Sequence, residues 1–156
     1  MTVTVTVTLA PHSIDVESGE ARYRIPVGCG ALSASITTDP PAPDELSNAI
    51  GLVLDHLEDV SREVPMIEFA DRIECRGGGV EVVAAVEVGT PTDLPFELDR
   101  TAAEEVFRTL ATESRADRAL NPGLPAHMVH DVLGTSIVLV SVLRFTQQSA
   151  LWLVAP

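Results

Sequence analysis

Lysine is absent from this 156-residue chain, and its ten cationic side chains, all arginine, face 23 carboxylates for a formal net charge of −13. A field of that sign repels polyanions. No segment clusters arginine densely enough to reverse it, so nucleic acid and anionic membrane surfaces are excluded as partners. Cysteine is scarce as well. Cys29 and Cys75 stand 46 positions apart with no C-x-x-C word, which gives neither zinc-site spacing nor a dense disulfide framework; two buried free thiols in a reducing cytoplasm are the expectation. Long apolar runs are missing too. The greasiest stretch, VLGTSIVLVSVL at 132–143, falls well short of the roughly 20 residues a membrane span requires. The start of the chain lacks the basic region and continuous apolar run of a secretory leader.

What is present reads as one domain, 1–156, with 46% hydrophobic residues and length for one sizeable core. The opening MTVTVTVTLAPHSIDV alternates strictly, placing Val3, Val5, Val7 and Leu9 on one face of a strand and Thr2, Thr4, Thr6 and Thr8 on the other. The valine face belongs to a core; the threonine face must tolerate water or be covered, which is where a partner would sit. SIDVES and ARYRIPVG follow as two more short strands, making an antiparallel meander. TTDPPAPDEL breaks regular structure. A helix starts behind it, with Asp44 as cap and Leu46, Ile50, Val53, Leu54 and Leu57 inward through about Val60.

Residues 66–75 fit a helix or a strand, with helix favoured. RGGG is a turn, and the β-branched VEVVAAVEVG at 80–89 predicts an interior strand. PTDLPFELD is a loop ending in Asp99, a good N-cap, before an amphipathic helix with Ala103, Val106, Phe107 and Leu110 inward. NPGLP turns the chain into a buried helix from about Ala126 to Gln147, and ALWLVA closes it as a strand. The order is β-β-β-α-(α)-β-α-α-β, an α/β domain with a mixed sheet.

That order, with the segments VGCGALSASITTDPPAPDEL, VEVVAAVEVGT, LDRTAAEEVFRTLATESRADRALNPGLP and HDVLGTSIVLVSVLRFTQQSALWLVA, resembles the second lobe of the exopolyphosphatase and guanosine pentaphosphate phosphohydrolase (Ppx/GppA) family. The resemblance implies a single ribonuclease-H-like lobe of the actin-like ATPase superfamily, in a family that works phosphate chemistry in the cleft between two lobes. It also implies a D-x-G-G-G-S-x-E loop after the first strand, whose glycines let bare amides approach a phosphate. Here Thr8 falls where the aspartate would be, Leu9, Ala10 and Pro11 or His12 fill the glycine stretch, Ser13 falls at or near the serine, and Asp15 lies one residue past the expected carboxylate. Leu9 and Ala10 add side chains and Pro11 removes a donor, so the cradle is expected to be lost.

On that resemblance the catalytic candidates are Ser13 and Asp15, and the remnants of a phosphate or nucleotide site are Gly30, Gly89 and Thr90, the last two matching the family's G-G-T word. Ser33 and Ile36 stand where the family often has Arg and Glu, and Val129 where it often has Arg. From the residues themselves, His127 and His130, three apart with Asp131 adjacent, form a metal candidate for which spacing places no third ligand. Gly77 to Gly79 precede a presumed strand, the wrong order for amides at a helix start. Three functions follow as expectations: a degenerate lobe, without cofactor, that associates as a homodimer or with a full-length relative; a phosphohydrolase using Mg²⁺ or Mn²⁺; or a nucleotide sensor without turnover.

Overall fold

Strict alternation of threonine with aliphatic residues builds β1 (Thr4–Leu9), whose Val5 and Val7 are fully buried while Thr4, Thr6 and Thr8 are not. The chain is a computed structural model that describes residues 2–156. β2 (Ile14–Ser18) and β3 (Ala21–Ile25) complete the predicted antiparallel meander. A short helix, α1 (Cys29–Ala34), follows, then α2 (Pro43–Glu63), which buries Ile50, Val53, Leu57 and Val60. Asp44 is not its cap. Ala42 takes that position, and the Glu45 carboxylate accepts hydrogen bonds from the Ala42, Thr37 and Thr38 amides. Those donors hold its carboxyl down at about 2.

Between α2 and the next glycines the reading was inverted. Only Pro65–Glu68 turn helically, as a 3-10 turn, and Arg72–Gly77 form a strand, β4, with Ile73 and Cys75 inward. The predicted strand at 80–89 is instead the helix α3 (Val80–Val88). Val80, Val82, Val83, Ala84 and Ala85 are buried while Glu81, Glu87 and Val88 are exposed, so tertiary burial overrides β propensity. Part of the predicted loop before Asp99 is a strand, β5 (Phe96–Asp99), and Asp99 caps α4 (Arg100–Thr112) by accepting from the Ala102 amide. α5 (Arg115–Arg118) is a single turn. The last helix begins later than predicted: Ala126–Met128 form a 3-10 turn, and α6 runs Val132–Thr146. β6 (Ala150–Leu153) closes the chain.

The sheet order is β3-β2-β1-β4-β6-β5, with β1, β4 and β6 mutually parallel and the other three strands antiparallel to their neighbours. α6 is the hub of the helical layer, packing against α1, α2 and α4, and all of its residues from Val132 to Leu143 are buried. This layer covers the sheet face carrying Val5, Val7, Ile73, Cys75, Leu151 and Leu153, each fully buried. The pairing registers put Asp15 and Glu17 of β2, Arg22 and Arg24 of β3, Arg72, Glu74 and Arg76 of β4, Glu97 of β5 and Trp152 of β6 on the opposite face, with the threonines of β1. None of these side chains is buried. That face has no helix over it. Among the described residues, no helix is long and apolar enough to cross a membrane.

Candidate functional site

In open α/β sheets, ligands bind outside the carboxyl ends of the parallel strands. Here that edge gathers four segments: the β1–β2 turn at 10–13, the entry to α1 at 28–30, the glycines at 77–79 between β4 and α3, and the entry to α6 at 129–135. The β1–β2 turn is a tight hairpin in which the Ala10 amide donates to Ser13 O (3.0 Å). Its carbonyls then turn toward α1. Cys29 N donates to Ala10 O (3.1 Å) and Ala31 N to Pro11 O (3.0 Å), so amides at the start of that helix meet backbone oxygens of the same chain. The turn presses directly on Gly28, where a Cβ would lie 2.5 Å from His12 N, and close to Gly30, where it would lie 3.1 Å from Pro11 Cβ.

The second turn reverses a prediction. Gly77 to Gly79 link a strand to a helix, the order in which amides can face an anion, and all three have positive φ (75°, 60° and 82°). The space they leave is nevertheless filled from within. A Cβ at Gly77 would lie 2.6 Å from Leu9 O, at Gly78 2.6 Å from Leu9 Cβ, and at Gly79 2.6 Å from Met128 Cε. Thr135 Oγ1 donates to Gly78 O from α6. The glycine turn at a strand end lies here, after β4, whereas Gly89 and Thr90 follow the helix α3 and not the predicted strand.

The α6 entry is also self-satisfied. His130 Nε2 lies 2.6 Å from Ser33 O, Ser33 Oγ donates to Asp131 O (3.0 Å), and Gly134 N donates to Ser33 Oγ (2.8 Å). No arginine lies in any of the four segments. Arg76 comes next to the glycines but alternates to the uncovered sheet face, where its Nε is buried without a partner. Both thiols are poor nucleophiles: burial pushes Cys29 up, and burial, with the charge of Glu74, pushes Cys75 up to about 12.

Of the predicted site residues, Ser13 and Gly30 meet at this edge through Pro11. Asp15 does not join them; it sits on the uncovered face in a bidentate pair with Arg24 (2.8 and 3.1 Å), a hydrogen bond that lowers its pKa. Gly89 and Thr90 stand at the far end of α3, with Gly89 about 15 Å from Gly79 at 1.5 Å per residue. There both amides bond Ala85 O. His127 and Asp131 are exposed, His130 is committed to Ser33, and no group of three His, Cys, Asp or Glu among the described residues is arranged to hold a metal ion. Sequence reasoning missed Arg76 and the charged ladder around it, although the alternation R-I-E-C-R at 72–76 carried the signal.

No family model and no curated protein matches the sequence. Solved structures do match in fold. A PPX-GPPA enzyme from Aquifex aeolicus superposes with a TM-score of 0.85 at 17% identity, over 98% of this chain and 53% of that one. An exopolyphosphatase-like protein gives 0.86 at 18% identity, over 97% and 55%. An exopolyphosphatase from Cytophaga hutchinsonii gives 0.75 at 13%, over 99% and 53%. The chain spans about half the length of each. Its fold is that of one lobe of the Ppx/GppA proteins.

Proposed function

We propose that this chain is an exopolyphosphatase-related lobe that carries no phosphate chemistry of its own and acts by association, with a second copy or with a full-length relative. The observation that carries this reading is the Ala10–Pro11 turn: two carbonyl oxygens stand against the Cys29 and Ala31 amides, where an anion would need free donors. Phosphoanhydride hydrolysis depends on stabilising charge spread over phosphoryl oxygens with amides, cations or metal. The turn supplies oxygens instead, Pro11 has no N–H to give, and the surrounding segments contain no arginine.

The test is phosphate release from polyphosphate and from guanosine pentaphosphate, with Mg²⁺ or Mn²⁺ present. Release is expected to stay at the buffer blank for the wild-type chain and for Ser13→Ala alike. Release that is above blank and lost on Ser13→Ala would overturn the reading. Titration with a nucleotide gives an independent check, since a ligand at 100 times its dissociation constant stabilises by about 2.7 kcal/mol, and no shift is expected here.

A further inference from the structure

We infer that the turn after α5 is a homodimer contact, in which Leu120 of each copy enters the apolar hollow that lies beside Leu120 of the other. The inference rests on the association reading above, narrows its partner to a second copy and supplies the surface.

Leu120 is 78% exposed, the most exposed large hydrophobic side chain among the described residues. It is not a loose end. Its amide donates to Asp117 O (3.0 Å), Asn121 N donates to Arg118 O (3.1 Å), and the Asn121 side chain donates to Glu113 Oε1 (2.7 Å) and Arg118 O (3.0 Å). The turn thus holds the leucine out in water before any partner arrives, which lowers the ordering cost of binding. Beside it lies a hollow of about 590 Å³ lined by Ala116, Ala119, Leu124, Ala126 and Val129, with Asp39 and Arg115 on its wall. Its Val129 side is fixed as well, because Arg118 Nη1 donates to Val129 O (3.0 Å). Hollows of about 300–1,000 Å³ take up whole small molecules, so this one has room for a leucine and part of the turn that carries it.

Projection and hollow adjoin through the Ala119 to Leu120 step, and that sets the symmetry. A twofold axis lying in the contact plane between them carries each Leu120 over the hollow of the other copy, so one patch is complementary to itself, as an isologous interface requires. Charge admits a second copy here although the whole chain carries −13. Around the turn and hollow stand Asp39, Glu113 and Asp117 against Arg115 and Arg118, so the contact holds little of that excess and brings little like charge together. Asp117 and Arg115 are both exposed and make no ion pair among the described residues, which leaves each copy one free charge of each sign at this surface. A strongly cationic partner would be drawn instead to the acidic surface elsewhere, and a polyanion would be repelled. A contact built on two leucines falls at the low end of interface sizes, so the dimer is weak, with a dissociation constant of roughly 10–100 µM expected.

Sedimentation equilibrium from about 1 µM to about 500 µM is expected to carry the wild-type chain from monomer to dimer. Leu120→Asp removes the projection and Ala116→Arg fills the hollow; both positions are exposed, so each variant is expected to keep the wild-type circular dichroism. Each is expected to weaken the homodimer about tenfold or more, because both contacts of the pair are lost together. Mixed one to one, the two variants are expected to associate more tightly than either alone, since the heterodimer keeps one unaltered Leu120 facing one unaltered hollow. A wild-type dimer that both variants leave intact, or a mixture no tighter than either variant, overturns this surface and leaves self-association standing. A wild-type chain that stays monomeric throughout overturns the second copy, and the association reading then keeps only a full-length relative as partner. Such a monomer that binds anilinonaphthalene sulfonate, with binding lost on Ala116→Arg, would assign the hollow to a small apolar ligand and overturn the inference equally.

Discussion

Arg118 is 2% exposed and has no carboxylate partner among the described residues. Its guanidinium instead donates from Nε to Leu110 O (3.0 Å), from Nη1 to Val129 O (3.0 Å) and from Nη2 to Glu113 O (3.1 Å). It thus ties the end of α4, whose last carbonyls lack helical partners, to the segment entering α6. Burial lowers its pKa, yet a guanidinium keeps its proton in proteins. Arg118→Met fills a similar volume but leaves three acceptors without donors. At about 1–3 kcal/mol per stranded group, with partial rescue by water, the expected loss is about 3–5 kcal/mol. Arg118→Lys keeps the charge without the planar fork and is expected to recover less than half of that. Urea unfolding measures both; a loss under about 1 kcal/mol for Met would mean the three bonds are dispensable. Nothing in ESRADRAL marks Arg118 as the inward residue, because its partners are backbone carbonyls set by the packing of α4 on α6.

Gly89 acts at the scale of the element it ends. Its φ is +89°, its amide donates to Ala85 O (2.7 Å), and a Cβ would meet only Pro122 Cβ, at 3.9 Å. Space is open, so the cost of Gly89→Ala is conformational alone, about 1 kcal/mol, and Gly89→Asn is expected to lose less because Asn tolerates the left-handed region. Urea midpoints test this, and equal stability for Gly and Ala would show that the residue does not terminate α3 as described. The same helix shows where the sequence was legible. Clear periods were read correctly: the alternation of β1 to β3, the amphipathic faces of α2 and α4, the buried α6. VEVVAAVEVG has no clear period, since a run buried on most sides looks alike as strand or helix. Its misreading moved the strand-end glycines of the candidate site ten residues too late. β5, four residues behind Pro95, was too short to show its alternation.

At the scale of the whole molecule, the −13 charge is unevenly spread. The uncovered face carries Arg22, Arg24, Arg72 and Arg76 against Asp15, Glu17, Glu74, Glu97 and Asp99, so it is close to neutral and nearly all of the excess lies elsewhere. Two copies that associate as proposed repel one another. For a chain of this size the centres lie about 30 Å apart, where two such charges in water repel by about 23 kcal/mol unscreened. A Debye length of about 8 Å at 0.15 M salt removes most of that, whereas one of about 30 Å at 0.01 M leaves roughly a third of it. Ion pairs formed across an interface work the other way, but exposed pairs are worth only about 0.2–1 kcal/mol each, and salt weakens them too. Long-range repulsion is the larger quantity, so raising NaCl from about 0.01 to about 0.15 M is expected to tighten the dimer. Sedimentation equilibrium at the two salt concentrations decides it. A dimer that loosens as salt rises would mean that charge pairs across its interface outweigh the repulsion of the rest of the molecule.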